Sequence, residues 1–429
     1  MIQRLTHGSI AVFLIVSCAS GAASPAPPSL RGAGGEFAAI EGANVLTRGA
    51  RVVNPGVTHE QLLDLTGANA AFALDLYRKL ATASNDNILL GPHSISTALG
   101  MLYAGARGQT ADDMARVLHF DTLGSDVAPR FNALDFALLA RQQPGIVDLR
   151  LANQAFAQPG LPLVESYLET LSIQFGAPLA ELEFDDAERA RGVINEWVSG
   201  QTNERIEELF PQGTISENTR LVLVNAISLD AAWRYLFDPA DTTGHTFTLA
   251  DGETASNVPT MHFDLYLPLA DEPDYSAVEL MYGRGDLSMI LVLPKDAKAF
   301  DDSVDAAMLE LIIDRISERG IHLLLPKFSF RRHIDMDETL VELGMGSAYG
   351  SSADFSGMVD GGGLFLDTVQ HDAFIEVDEA GTEAHAATGG AMAVSHGPTI
   401  SFDRPFFFVI RDRVTGAILF LGRVTDPRG

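Results

Sequence analysis

Two stretches with strand character, Phe374-Ile375-Glu376-Val377-Asp378 and Phe402-Asp403-Arg404-Pro405-Phe406-Phe407, flank a run with almost no side-chain bulk. That run is Glu379-Ala380-Gly381-Thr382-Glu383-Ala384-His385-Ala386-Ala387-Thr388. A small-residue connection is ordinarily a flexible linker. This one has a single glycine at its base and then neither glycine nor proline until Gly389. Alternate residues of a strand point the same way, so Thr382, Ala384, Ala386 and Thr388 would share one face. All four are small enough to slide beneath existing side chains. The segment therefore predicts a loop that can become a buried strand, and the rest of the chain must supply a sheet able to receive it.

The 429 residues suggest two or three domains by length alone, yet no internal linker separates them. With 46% hydrophobic residues the chain can bury a large core. Its formal charge of −28 argues against nucleic acid or heparin as a partner, because Arg107, Arg116, Arg130, Arg141 and Arg150 are scattered among acids. Cys18 is the sole cysteine, so no intrachain disulfide forms. Arg4 and the apolar run Ile10-Ala11-Val12-Phe13-Leu14-Ile15-Val16 have the form of a secretory signal, too short to span a bilayer. Ile15-Val16-Ser17-Cys18 resembles a bacterial lipobox, which would make Cys18 a lipidation site; ordinary cleavage near Ser20-Gly21-Ala22 is the alternative. Either reading predicts export, to the outside, the periplasm or the outer membrane, with membrane contact only through an N-terminal lipid. Residues 19–57, with Pro25, Pro27, Pro28 and Gly34-Gly35, read as a flexible tether.

Thr58 with Gln61 forms a capping box, and Leu65, Phe72, Leu76 and Leu80 follow at helical spacing. Ser94 is placed as the cap of a second helix, and Thr110 with Asp113 as the cap of a third. A further helix is expected near Val193–Val198. Strands are expected at Leu221–Leu229, Leu287–Leu293, Ile321–Phe330, Phe406–Ile410 and Ile418–Val424, several of them apolar throughout, as in strands buried on both faces. Asp335–Leu343 reads as a short helix ended by Gly344.

No catalytic constellation emerges. There is no Gly-x-Ser-x-Gly elbow, and His59-Glu60 lacks the second histidine of a zincin. His371, His385 and His396 lack the carboxylate or cysteine of a metal site. A triad of Ser94, His371 and an aspartate is unconstrained by spacing. Arg284-Gly285-Asp286 reads as a turn between strands. No enzyme activity, metal or cofactor is expected.

The small-residue run resembles the hinge of the reactive loop of serpins, and Asp403-Arg404-Pro405-Phe406 resembles the strand that follows it. Further matches fall in family order: Asn87–Ser96, Gly105–Thr110, Val224-Asn225-Ala226-Ile227 followed by Trp233, Asp354–Met358 and Gly416–Val424. The resemblance covers residues 58–429. It implies a mixed α+β serpin fold, with a large central sheet, two smaller sheets, about eight to nine helices and an exposed reactive loop at about 379–401. It also implies a monomeric suicide-substrate inhibitor: a protease attacks the loop, forms an acyl-enzyme, and is trapped when the cut loop inserts into the sheet. Its hinge would be Glu379, Gly381, Thr382, Glu383, Ala384, His385, Ala386, Ala387 and Thr388, in which His385 departs from the usual small residue. Ser94, Asn225 and His371 map onto the buried polar cluster where the sheet must part, and Trp233 onto the aromatic above it. Gly91 stands where the family usually has serine, so one hydrogen bond of that gate is expected to be missing. Family spacing counted back from Phe402-Asp403-Arg404-Pro405 puts the reactive bond at Val394–Ser395, and counted forward from Gly381 at Ser395–His396; the first has the attraction of an aliphatic residue followed by serine. Neither lysine nor arginine occurs between Thr382 and Thr399, so the expected targets are elastase-like or subtilisin-like serine proteases, with papain-like cysteine proteases second. A non-inhibitory binding or chaperone role is the alternative.

Overall fold

The computed structural model describes residues 8–18, 40–46, 49–124, 126–202, 206, 208–382 and 397–429. In chain order, β1 (Gly8–Cys18) and β2 (Asn44–Leu46) precede α1 (His59–Ala83). β3 (Ile88–Leu90) leads into α2 (Pro92–Gly105), α3 (Gly108–Val117) and α4 (Val127–Leu139). β4 (Val147–Ala157), α5 (Glu165–Gln174), β5 (Leu179–Glu181), α6 (Ala187–Gln201) and β6 (Thr219–Ala232) follow. Then come β7 (Thr243–Thr248), β8 (Thr254–Asp271), β9 (Tyr275–Tyr282), β10 (Leu287–Pro294), α7 (Ala297–Ser303) and α8 (Ala306–Arg315). β11 (Ser317–Pro326), β12 (Phe328–Asp335), α9 (Asp337–Leu340) and β13 (Leu364–Val377) lead to β14 (Gly381–Thr382). β15 (Thr399–Ser401), β16 (Phe406–Asp412) and β17 (Ile418–Val424) close the chain.

The central sheet has the order β12-β13-β1-β6-β4-β5-β2, with β14 also on β6. The two smaller sheets of the expected architecture are joined through the 18-residue β8, giving β15-β11-β8-β9-β10-β16-β17-β3, with β7 on β8. Nine α-helices occur among the described residues, within the expected number.

The alternation of β6 divides the interior. Leu221, Leu223, Ile227, Leu229 and Ala231 enter the main core, whereas Val222, Val224 and Ala226 pack with α6 residues Ile194 and Val198 in a second one. A strand covered on both sides has no polar face, which is why β6 and β10 read as continuous apolar runs.

The capping box of α1 forms as expected: Thr58 Oγ1 accepts from Gln61 N at 3.2 Å and Gln61 Oε1 accepts from Thr58 N at 2.9 Å. Two other expected caps are absent. α2 starts at Pro92, so Ser94 lies inside the helix and its hydroxyl donates across to Asn225. α3 has no side-chain cap, and Thr110 donates to the Ser347 carbonyl at 3.1 Å. In each case a tertiary acceptor replaces the helix end. The expected strand Ile321–Phe330 is two strands in different sheets, divided at Lys327. The short helix near 337 holds, and the chain leaves it through Gly344 at φ 116°.

The N-terminal region differs most from expectation. Gly8–Cys18, read as an export signal, forms a strand parallel to both β13 and β6. Its β-branched and aromatic residues suit that role as well as they suit a signal core. The stretch read as tether up to residue 57 contributes β2, paired with β5 at the sheet edge. It also contributes Arg51, which is buried against α4, donating to Asn132 Oδ1 at 2.8 Å and Asp135 Oδ2 at 2.5 Å. His93 Nε2 meets the other Asp135 oxygen at 3.0 Å. Burial pushes the Asp135 carboxyl up, but Arg51 and His93 outweigh it and hold the group below the ordinary range. Asp135→Ala would strand the Arg51 charge in the interior. It should lower unfolding free energy by about 3–5 kcal/mol, read from urea denaturation; a loss below about 1 kcal/mol would show the pair to be dispensable.

Candidate functional site

The site is the junction where β13 turns into β14. Asp378 organises the turn: its Oδ1 accepts from Ala380 N at 2.9 Å and Gly381 N at 3.3 Å, and its own N–H donates to Gly381 O at 3.1 Å. Such an aspartate-led turn reverses the chain locally. β14 then runs antiparallel to β6, with Gly381 opposite Ala232 and Thr382 opposite Ala231. The first hinge residues are therefore already in the central sheet.

Gly381 is required here on two counts. Its φ is +147°, and a Cβ would fall 2.3 Å from the Ala231 carbonyl oxygen and 2.8 Å from Ala232 Cα. Thr382 is fully buried, and its hydroxyl shares a 2.7 Å hydrogen bond with Tyr282 Oη. Trp233 lies against the turn. Its backbone N–H donates to Ala380 O and its indole Nε1–H to Asp378 O, both at 3.0 Å. Its ring stacks on Tyr282 at 4.4 Å between centroids with 13° between planes. Glu379 is pinned separately: Oε2 accepts from Lys327 Nζ and Oε1 from Thr242 Oγ1, each at 2.7 Å. Burial raises the Glu379 carboxyl, but these two donors outweigh it and keep the group below the ordinary glutamate range.

Lower in the sheet, the polar cluster is assembled from four elements, β6, α2, β4 and β13. Asn225 on β6 accepts from Ser94 on α2 and donates Nδ2–H to Asn153 Oδ1 on β4 at 2.5 Å. His371 on β13 is fully buried, and its Nε2 accepts from the Gly91 N–H at 3.3 Å. Although Gly91 has no hydroxyl, its backbone thus reaches the histidine. Asn225 and His371 do not meet directly, because β1 separates their strands; Leu14 is opposite both. Buried polar groups must be paired, and here helix and neighbouring strands do so without closing the gap between β6 and β13.

The other end of the loop is anchored on the second sheet. Thr399 pairs with His322 and Ser401 with Leu324, and Phe402 N donates to Leu324 O at 2.9 Å. The remaining hinge positions, Glu383, Ala384, His385, Ala386, Ala387 and Thr388, and the reactive-bond candidates Val394, Ser395 and His396, lie outside the described residues. Sequence reading missed Tyr282, Lys327, Thr242 and Asn153. Lys327 had a visible signal, as the one charge within Leu323-Leu324-Leu325-Pro326-Lys327-Phe328. The other three carry no local pattern, since long-range pairing alone brings them to the site. Among the described residues no cluster of histidine, cysteine and carboxylate groups is arranged to hold a metal.

Gly381→Ala should expel the hinge from β6, costing about 1–3 kcal/mol and unstacking its surroundings at Trp233. Increased accessibility of tryptophan to acrylamide quenching would report this; unchanged quenching and unchanged stability would refute the tight approach.

The profile of a family described as "Serpin (serine protease inhibitor)" matches residues 67–427. An uncharacterized serpin-like protein of Thermococcus kodakarensis is 37% identical over 370 residues, covering 83% of this chain and 84% of its own length. Leukocyte elastase inhibitor A of Mus musculus is 35% identical over 380 residues, covering 85% and 99%. Human thyroxine-binding globulin superposes with a TM-score of 0.77 at 28% identity, covering 86% of this chain and all of the other.

Proposed function

The chain belongs to the serpin family, and we propose that it inhibits serine proteases of the elastase or subtilisin type as a suicide substrate. The observation that carries this reading is the docked hinge: Gly381 and Thr382 pair with β6 while Thr399–Ser401 pairs with β11. The loop between these anchors contains Val394–Ser395, the proposed reactive bond, with Ser395–His396 second. An aliphatic residue ahead of the bond suits the small apolar pocket of an elastase, and no lysine or arginine is offered to a trypsin-like one. The similarity to a leukocyte elastase inhibitor supports the same target class.

The chemistry belongs to the protease, whose serine attacks the loop carbonyl to form an ester and release the new amine. The inhibitor contributes the fold that then pulls the ester away from its catalytic partners. Antiparallel extension of β14 along β6 supplies the motion. Insertion of about a dozen residues makes up to two ladder bonds each, at ~0.5–1.5 kcal/mol net per bond, on the order of 10 kcal/mol in all. Thr382, Ala384, Ala386 and Thr388 share the parity that enters the main core, and none is bulky. His385 has the opposite parity and faces the other side of the sheet in that register. A papain-like cysteine protease, reading Val394 in its neighbouring pocket, is the second target class. A non-inhibitory binding role is supported by the likeness to thyroxine-binding globulin.

Incubation of a chain starting at Ala19, which lacks the signal-like segment, with pancreatic elastase should give a band at the summed mass that survives boiling in detergent. Complete cleavage of the inhibitor with protease activity undiminished would sink the inhibitory reading. Export, with Cys18 as a lipidated mature N-terminus, is part of the proposal; Cys18→Ser should move the protein from the membrane to the soluble fraction of the producing cell, and an unchanged distribution would exclude the lipid anchor.

A further inference from the structure

β1 is an inner strand of the central sheet, yet it precedes the family match, which starts at residue 67. It runs parallel to β13 from Gly8 opposite Leu364 to Cys18 opposite Ile375. On its other side it runs parallel to β6 from Ser9 opposite Thr219 to Cys18 opposite Leu229. Both neighbours are thus paired along nearly the whole strand.

The same edge of β6 begins to receive the loop just beyond the end of β1. Thr382 is opposite Ala231, two residues from the position that Cys18 holds. Extending the antiparallel register one residue at a time would set Ala384 opposite Leu229, Ala386 opposite Ile227 and Thr388 opposite Asn225. Those three positions are held by Cys18, Val16 and Leu14. A strand edge presents each N–H and C=O to one neighbour at a time. The hinge and β1 therefore compete for the same ladder: the described hinge pairing reaches Ala231, and the pairing of β1 begins at Leu229.

We infer that residues 8–18 are an internal occupant of the insertion slot, which bars loop insertion for as long as they remain part of the chain. Cleavage on the N-terminal side of Cys18, or a few residues after it, would detach the occupant and open the slot. The uncleaved chain is then a substrate of its target protease, and the cleaved chain an inhibitor. Only this consequence rests on the inhibitory reading; occupancy of the slot stands on the register.

Occupancy is tested by hydrogen exchange on the full chain. The amides of residues 8–18 should exchange at least about a hundredfold more slowly than unstructured peptide. Leu14→Pro removes an N–H from the middle of an inner strand and should abolish that protection. With pancreatic elastase, the full chain should be cleaved without a detergent-stable complex. Leu14→Pro, and a chain starting at Ala19, should give at least about tenfold more complex. The shorter chain supplies the comparison if Leu14→Pro does not fold; the mouse relative matches over 99% of its own length with 85% of this chain, so the fold does not depend on the extra residues. Unprotected amides at 8–18 in the full chain would overturn the inference, as would equal trapping by all three forms. If no form traps elastase, protection of 8–18 still establishes the occupant, and the inhibitory reading is what fails.

Discussion

The central sheet depends on how the facing edges of β6 and β13 are satisfied. Buried backbone N–H and C=O groups must find partners, and these two strands do not bond to each other. β1 lies between them, parallel to both. The edge of β6 that it covers is long, running from Thr219 to Leu229. The polar cluster follows from the same constraint. Asn225 is held from β4 and α2, and His371 from the Gly91 amide. These three bonds reach the cluster from α2, β4 and the residue ahead of α2, not from the strand between β6 and β13.

The hinge has the small side chains and close backbone approach that entry into such a gap would require. Gly381 passes so close to β6 that no side chain fits, and Thr382 meets Tyr282 instead of displacing it. Packed interiors tolerate little added volume, so a strand arriving late must bring small side chains on its buried face. The turn ahead of it is fixed by a different set of forces: the Asp378 carboxylate, the Trp233 donors and the Lys327–Glu379 pair. Those contacts hold the point from which the loop starts.

Much of this architecture was legible because local pattern and tertiary demand agree. The Thr58–Gln61 box appears as written, and β6, β10, β16 and β17 lie where apolar runs placed them. The parity of the hinge was readable for the same reason, since strand periodicity depends on nothing distant. Errors arose where a distant partner outbid a local one. Ser94 and Thr110 have the chemistry of caps, but Asn225 and the Ser347 carbonyl take their hydroxyls. Arg51 sits in a stretch with the composition of a linker, and only Asn132 and Asp135, on a helix far along the chain, reveal why it is buried. Tyr282 and Asn153 belong to the site solely through sheet pairing.

The N-terminal segment was ambiguous for a deeper reason. A short uncharged run rich in Ile, Val and Phe satisfies the requirements of an export signal core, and the same composition satisfies a strand buried on both faces. Periodicity cannot separate the two, because neither needs a polar face. The two roles also exclude each other in time: a chain whose mature N-terminus is Cys18 has lost residues 8–17 and with them nearly all of β1. The edge of β6 from Thr219 to Leu229 is then open to another strand. The hinge already docked at Ala231 is the nearest segment able to fill it, and it enters from the end at which its own pairing has begun.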